Sequence, residues 1–219
     1  FALAEAHDVD LIGGDTTRGP LAISVTILGE VPSGLALRRD GAKVGDDIWL
    51  SGATGEAALA LAHVRGRVVL GGSELAACMA RMDMPQPRLD LGGRLRGIAH
   101  SAIDVSDGLL ADLTHILVAS AVGAELALER LPRVAALASL REGASAQVAD
   151  DCVLAGGDDY EIVFTAPVRK RAEIAALSED LGLPLTAIGS IVAGAPQVTL
   201  RGADGAVLPA SRRGFDHFA

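Results

Sequence analysis

Apolar and polar positions lay out an alternation of short strands and helices along the chain. Residues 20–31, PLAISVTILGEV, place apolar side chains at Leu21, Ile23, Val25 and Ile27, the period-two pattern of a strand covered on one face. Residues 47–51, DIWLS, predict a second strand, closed by GATG and followed by a helix over 56–64. Helices are also expected over 73–82 and 88–99, the second started by Pro87. From Ala102 the pattern gives a short strand, an acidic turn and a helix over 109–121. Leu109, Leu110, Leu113, Ile116 and Leu117 form the apolar stripe of that helix. Then come a strand at 125–128, a short helix at 134–140, a strongly apolar strand at 160–166, a helix at 168–181 and a strand at 186–192. Residues 198–200 and 206–208, divided by RGADG, predict a closing hairpin. Such alternation defines an α/β or α+β class with a layered sheet. No internal repeat or low-complexity segment interrupts it.

The stretch PSGLALRRDGAKVGD, rich in Gly, Pro and charge, marks the best domain boundary, dividing residues 1–34 from 35–219. FALAEAHDVDLIGG reads as the end of a helix running into a strand, so residues upstream of Phe1 are expected. Half of the 219 residues are hydrophobic and 21% are charged, enough for a sizeable core and too apolar for disorder. Aromatics make up only 3%, so that core must be built from Ala, Leu, Val and Ile. The formal charge of −9 argues against a nucleic-acid surface, which needs a basic stripe and stacking aromatics. An acidic protein that handles phosphates needs metal ions or local arginines to do so. Cys78 and Cys152 have no spacing that suggests a disulfide framework or a zinc site. They read as two small buried residues of a reducing cytosol, hence a cytoplasmic protein. No apolar run approaches the ~20 residues of a membrane span.

Three acidic turns carry the chemistry. In LIGGDTTRGP, Gly13 and Gly14 let backbone approach a ligand and Asp15 could meet it, or Asp15 caps its own turn. In AIDVSDGLL, Asp107 or Ser106 is a respectable N-cap for the helix that follows, but capping leaves Asp104 unexplained. Two carboxylates on one short turn repel unless a cation lies between them, and oxygen-only ligation suits Mg²⁺. In GGDDYE, Asp158 and Asp159 cannot both be core, and either a ligand or plain solvation accounts for them. Arg38 and Arg39, in the boundary segment, are a solvated pair or a bidentate phosphate clamp. GATGEA lacks the lysine of a P-loop, and HExxH, GxSxG, HRD and DFG motifs are missing. These residues point to a Mg²⁺-dependent, phosphate-handling site built without a P-loop.

In this order the turns resemble the thiamine-monophosphate kinase family. The resemblance rests on LIGGDTTRGP (11–20), RDGAKVGDDIWLSG (39–52), MPQPRLDLG (84–92), SAIDVSDGLLADLTHI (101–116), LAGGDDYEIVFT (154–165) and RGFDHF (213–218). It runs collinearly over essentially the whole chain. The family belongs to the aminoimidazole-ribonucleotide-synthetase superfamily, whose members bind ATP with acidic metal ligands in place of a P-loop. The resemblance implies the reaction of ATP with thiamine monophosphate to give ADP and thiamine diphosphate. It also implies an N-terminal α/β domain that binds ATP and makes a homodimer, of which residues 1–34 are the remnant, and a complete C-terminal α/β domain over 35–219. Carried over residue by residue, Gly14, Asp15, Arg39 and Ser106 would bind ATP. Asp15, Asp104 and Asp107 would hold several Mg²⁺ ions, and Asp158 and Phe215 would face thiamine monophosphate. The family commonly reads GGEDYE where this chain has Asp158, and an aromatic such as Tyr where it has Phe215. Further metal-binding aspartates of the family lie upstream of Phe1, so this stretch alone is expected to be weak or inactive. Rival readings are another enzyme of the superfamily, of the selenophosphate-synthetase or hydrogenase-maturation type, and a non-catalytic binding or dimerisation relic.

Overall fold

In the computed structural model the chain divides into two compact units, Phe1–Ala36 and Leu37–Ala219. The structure describes residues 1–140, 143–209 and 214. The first unit holds one short helix, α1 (Ala2–Ala6), and is otherwise irregular. Residues 20–31 do not form the expected strand. Leu21 is 93% exposed and Val25 88%, and no ladder partner is bonded to them among the described residues. A strand is stabilised by its neighbours, not by its own alternation, so the pattern alone does not make one.

The second unit is a mixed α/β fold around one seven-stranded sheet. In chain order its elements are β1 (Asp46–Ser51), α2 (Glu56–Val64), α3 (Gly72–Asp83), α4 (Leu89–Arg94), β2 (Ser101–Val105), α5 (Leu109–Ser120) and β3 (Gly123–Ala127). After these come α6 (Ala135–Ala138), α7 (Gly143–Ala155), β4 (Glu161–Pro167), α8 (Arg171–Leu181), β5 (Leu185–Val192), β6 (Val198–Arg201) and β7 (Val207–Leu208). The strand order is β2-β4-β1-β5-β3-β6-β7, and every pair is antiparallel except β3 with β6. The predicted elements are largely present. The helix expected at 88–99 stops at Arg94, and the helix expected at 168–181 opens with a 3₁₀ turn at Val168–Lys170. The long helix α7 has no counterpart in the sequence reading.

Both faces of the sheet are covered, which is why β1 is buried at all six positions. On one face Ile48, Leu50, Ile103, Val105 and Val163 pack against Leu59 of α2, Leu113 and Leu117 of α5 and Val153 of α7. On the other, Trp49 and Phe164, ring centroids 6.3 Å apart and stacked, meet Leu91 of α4 and Ile174 and Leu177 of α8. Aliphatic side chains dominate both layers, as the composition requires. Cys78 and Cys152 are free and buried, and burial lifts their thiols to about 11 and about 12. No helix among the described residues is long and apolar enough to cross a membrane.

One pairing positions the site. β2 runs antiparallel to β4, with Val105 opposite Glu161. The end of β2 therefore lies beside the start of β4, and the turns that follow one strand and precede the other share an edge of the sheet.

Candidate functional site

The turn 156–160 is wedged between three elements. A Cβ on Gly156 would overlap Ala58 of α2 and the Cys152 carbonyl of α7, and one on Gly157 would overlap the Ser106 carbonyl. Only glycines allow this approach. The turn then bonds to the end of β2, the Asp158 N–H donating to the Ser106 carbonyl and the Tyr160 N–H to the Val105 carbonyl, both at 2.9 Å.

Its side chains alternate in direction. Asp158 and Tyr160 are exposed, whereas Asp159 and Glu161 are 3% and 0% exposed. Asp159 accepts the Gly55 N–H on Oδ2 at 2.7 Å, at the start of α2, where a negative charge is favoured. Its Oδ1 is buried without a partner among the described residues. Burial pushes this carboxyl up to about 7, against the pull of the Gly55 and Ala57 N–H groups. Glu161 accepts two bonds from Arg88 and one each from Arg81 and the Ser51 hydroxyl, at 2.5–2.8 Å. Both acids anchor the turn. Of the two adjacent aspartates, Asp158 alone faces outward.

The neighbouring turn is anchored by an acid as well. The Asp112 carboxylate, 3% exposed in the first turn of α5, accepts the Ser106 and Asp107 N–H groups at 2.9 and 3.0 Å. Neither Ser106 nor Asp107 is the N-cap of α5, contrary to the sequence reading; Gly108 holds that position with φ 116°. Asp112 instead reaches back from the first turn of α5 to two N–H groups that precede the helix. Burial raises its pKa, against those two bonds and with the help of the charges on Asp107 and Asp104.

Between α2, α7 and the two turns lies a cavity of about 270 Å³. Ala57, Ala58, Leu61, Val148 and Ala155 supply apolar wall, Ser106, Asp107, Asp158 and Tyr160 are among its polar lining, and Arg65 and Arg67 also border it. The Tyr160 hydroxyl donates to Asp158 at 3.3 Å, and burial and then the Asp158 charge raise its pKa, with Asp104 and Asp107 adding to the effect. Asp104 is exposed on β2 and borders a second, shallow groove with Leu37, Arg38, Arg39 and Asp40. Arg38 is engaged by Asp40 at 2.8 and 2.5 Å, while the Arg39 carbonyl accepts the Ser120 hydroxyl at 2.9 Å.

Of the residues singled out in the sequence, the fold thus gathers Ser106, Asp107 and Asp158 at one cavity and Arg39 with Asp104 at one groove. Gly14 and Asp15 stand exposed in the first unit, where Asp15 accepts the Thr16 N–H at 2.7 Å. Phe215 lies outside the described residues. Among the described residues no group of three or more His, Cys, Asp or Glu is placed to hold a metal. Asp104 and Asp107 offer the two carboxylates that Mg²⁺ commonly takes beside water and phosphate oxygens, so their chemistry fits that ion. Asp112, Tyr160 and Glu161 went unnoticed in the sequence, and Asp159 was noticed only beside Asp158, without its inward role. A signal existed for two of them, since the inward positions 161 and 163 of β4 continue back to 159.

The fold and this paired-turn site define a class. Residues 43–201 match the family described as AIR synthase related protein, C-terminal domain. Thiamine-monophosphate kinase of Salmonella typhimurium is 39% identical over 221 residues, covering 100% of this chain and 66% of the relative. The crystal structure of thiamine-monophosphate kinase from Stenotrophomonas maltophilia K279a superposes with a TM-score of 0.86 at 48% identity, over 95% of this chain and 65% of that one. AaThiL complexed with AMPPCP and TMP gives 0.66 at 27%, over 83% and 54%. The chain belongs to the thiamine-monophosphate kinase family, and spans about two thirds of the length of its curated relative. Likeness to E. coli HypE, a hydrogenase maturation protein, at 18% identity with a TM-score of 0.58, reaches the fold alone.

Proposed function

We propose that the protein of which this chain is part phosphorylates thiamine monophosphate with ATP, giving thiamine diphosphate and ADP. The observation that carries this reading is the meeting of Ser106, Asp107 and Asp158 at one cavity with an apolar wall. The complex of AaThiL with AMPPCP and TMP supports the same pair of ligands. The superfamily alternatives rest on fold likeness only, and a relic has no need to keep Asp104, Asp107 and Arg39 together with the acids that anchor their turns.

The acceptor is a phosphate monoester with a second pKa near ~6, largely dianionic at neutral pH, so no strong general base is required. Alignment and relief of charge repulsion are required instead. In this reading Asp158 faces thiamine monophosphate from the cavity, and Phe215 joins it through the family resemblance. Ser106 and Arg39 bind the nucleotide, Arg39 from the groove it shares with Asp104. Asp104 and Asp107 would hold Mg²⁺, which when bound neutralises phosphate charge. Gly14 and Asp15 are assigned to nucleotide and metal by the family resemblance, and residues 1–34 to an ATP-binding domain that also makes a homodimer. Asp112 and Asp159 keep the two turns in register so that these groups converge.

The test is the full-length protein with ATP, Mg²⁺ and thiamine monophosphate, products being separated by chromatography. Thiamine diphosphate should form in step with ADP and vanish with Asp107→Asn. ATP consumption without thiamine diphosphate would assign a different acceptor.

A further inference from the structure

Tyr160 is the single tyrosine of the sequence, and the reaction as derived gives it no role. Its conformation is unusual for its type. Both Asp158 and Tyr160 have positive φ, 66° and 52°, a region that a bulky aromatic residue rarely enters. Such conformations persist only where surrounding structure over-determines them, and they concentrate at ligand sites. The over-determination is visible here: Asp159 is bound to the start of α2, Glu161 to Arg81 and Arg88, and the Tyr160 N–H to Val105. The outcome is a ring left 40% exposed at a cavity, between two neighbours that are almost fully buried. Trp49 and Phe164, by contrast, are stacked in the core.

No other aromatic residue lines this cavity among the described residues. Its remaining lining is mostly apolar, the acids Asp107, Asp151 and Asp158 share it, and Arg65 and Arg67 border it as well. An aromatic face beside carboxylates and an apolar wall is the chemistry that recognises a planar organic cation. Resting on the proposed function, we infer that Tyr160 contacts the substrate, its ring receiving the cationic thiazolium heterocycle while its hydroxyl holds Asp158 in place. The ring is strung between two buried acids so that it is presented to the cavity and not drawn into the core. An exposed tyrosine without this role would be indifferent to loss of its ring.

The experiment uses the full-length protein and two variants, Tyr160→Leu and Tyr160→Phe. It measures KM separately for thiamine monophosphate and for ATP. Tyr160→Leu should raise KM for thiamine monophosphate about tenfold while leaving KM for ATP within about twofold, and Tyr160→Phe should recover most of the loss. A companion measurement labels tyrosine with fluorine, assigns the Tyr160 resonance by its absence in Tyr160→Phe, and titrates with thiamine, which has the cation and no phosphate. That resonance should shift on adding thiamine. Turnover with unchanged KM in Tyr160→Leu would overturn the inference and leave the proposed reaction standing. No turnover but a shifted resonance would sustain the contact and overturn the reaction. No turnover and no shift would overturn both.

Discussion

The tripeptide Gly-Gly-Asp occurs twice, at 13–15 and at 156–158, and the two copies have different fates. A Cβ added to Gly13 or Gly14 meets nothing within 4 Å, whereas one on Gly156 or Gly157 collides with neighbouring elements. Asp15 bonds its own next residue, while the turn of Asp158 is fixed through Asp159, Glu161 and the end of β2. Identical letters therefore signal an exposed, irregular segment in one place and a clamped turn in the other. The difference lies in what surrounds them. At 156–161 two buried carboxylates hold the backbone so that two exposed side chains reach the cavity.

The largest effect should come from the clamp itself. Glu161→Ala leaves Arg81 and Arg88 without their buried partner and should cost about 3–5 kcal/mol in urea denaturation. Asp15→Ala, its counterpart in the exposed segment, should leave the midpoint unchanged. Next, Gly156→Ala should cost about 2–3 kcal/mol, since Ala58 and the Cys152 carbonyl must give way. Gly13→Ala should stay within about 0.5 kcal/mol. A Gly156→Ala variant as stable as the parent would remove the distinction between the two copies.

Another effect concerns pH. Asp159 holds its proton up to about 7 in the folded protein, against about 4 when unfolded. The folded state then binds more protons than the unfolded chain between those values. Its contribution to stability is complete below pH about 4 and is lost as pH rises to about 7. Asp159→Asn should flatten that part of the stability–pH curve, as followed by thermal unfolding at a series of pH values. An unchanged slope would mean that Asp159 is ionised throughout.

The legible and illegible parts divide along physical lines. β4 was plain because its run Val163–Ala166 is buried on both faces, and α5 because five apolar residues recur at helical spacing. Residues 20–31 misled because alternation specifies a face but cannot supply a ladder partner. The helix α7 was invisible because GASAQVADDCVLA is rich in alanine with a weak apolar stripe. At the site, the exposed Asp104 and Asp158 and the half-buried Asp107 could be suspected from their turns. Asp112 drew no notice and the inward turn of Asp159 was not read, because an acid turned inward breaks the rule that makes a pattern readable. Their partners are backbone N–H groups at the starts of helices, and these carry no letter in the sequence. The antiparallel pairing of β2 with β4, which brings the two turns together, is likewise a property of the sheet.

The most direct test compares the adjacent aspartates in the full-length protein, measuring thermal midpoint and KM for thiamine monophosphate on the same samples. Asp158→Asn, which tolerates the left-handed backbone there, should leave the midpoint unchanged and raise KM about tenfold. Asp159→Ala should lower the midpoint by several degrees, on the order of 1–2 kcal/mol for a lost cap at α2. A shared loss of stability, or an unchanged KM in Asp158→Asn, would contradict the division of labour between the outward and the inward carboxylate.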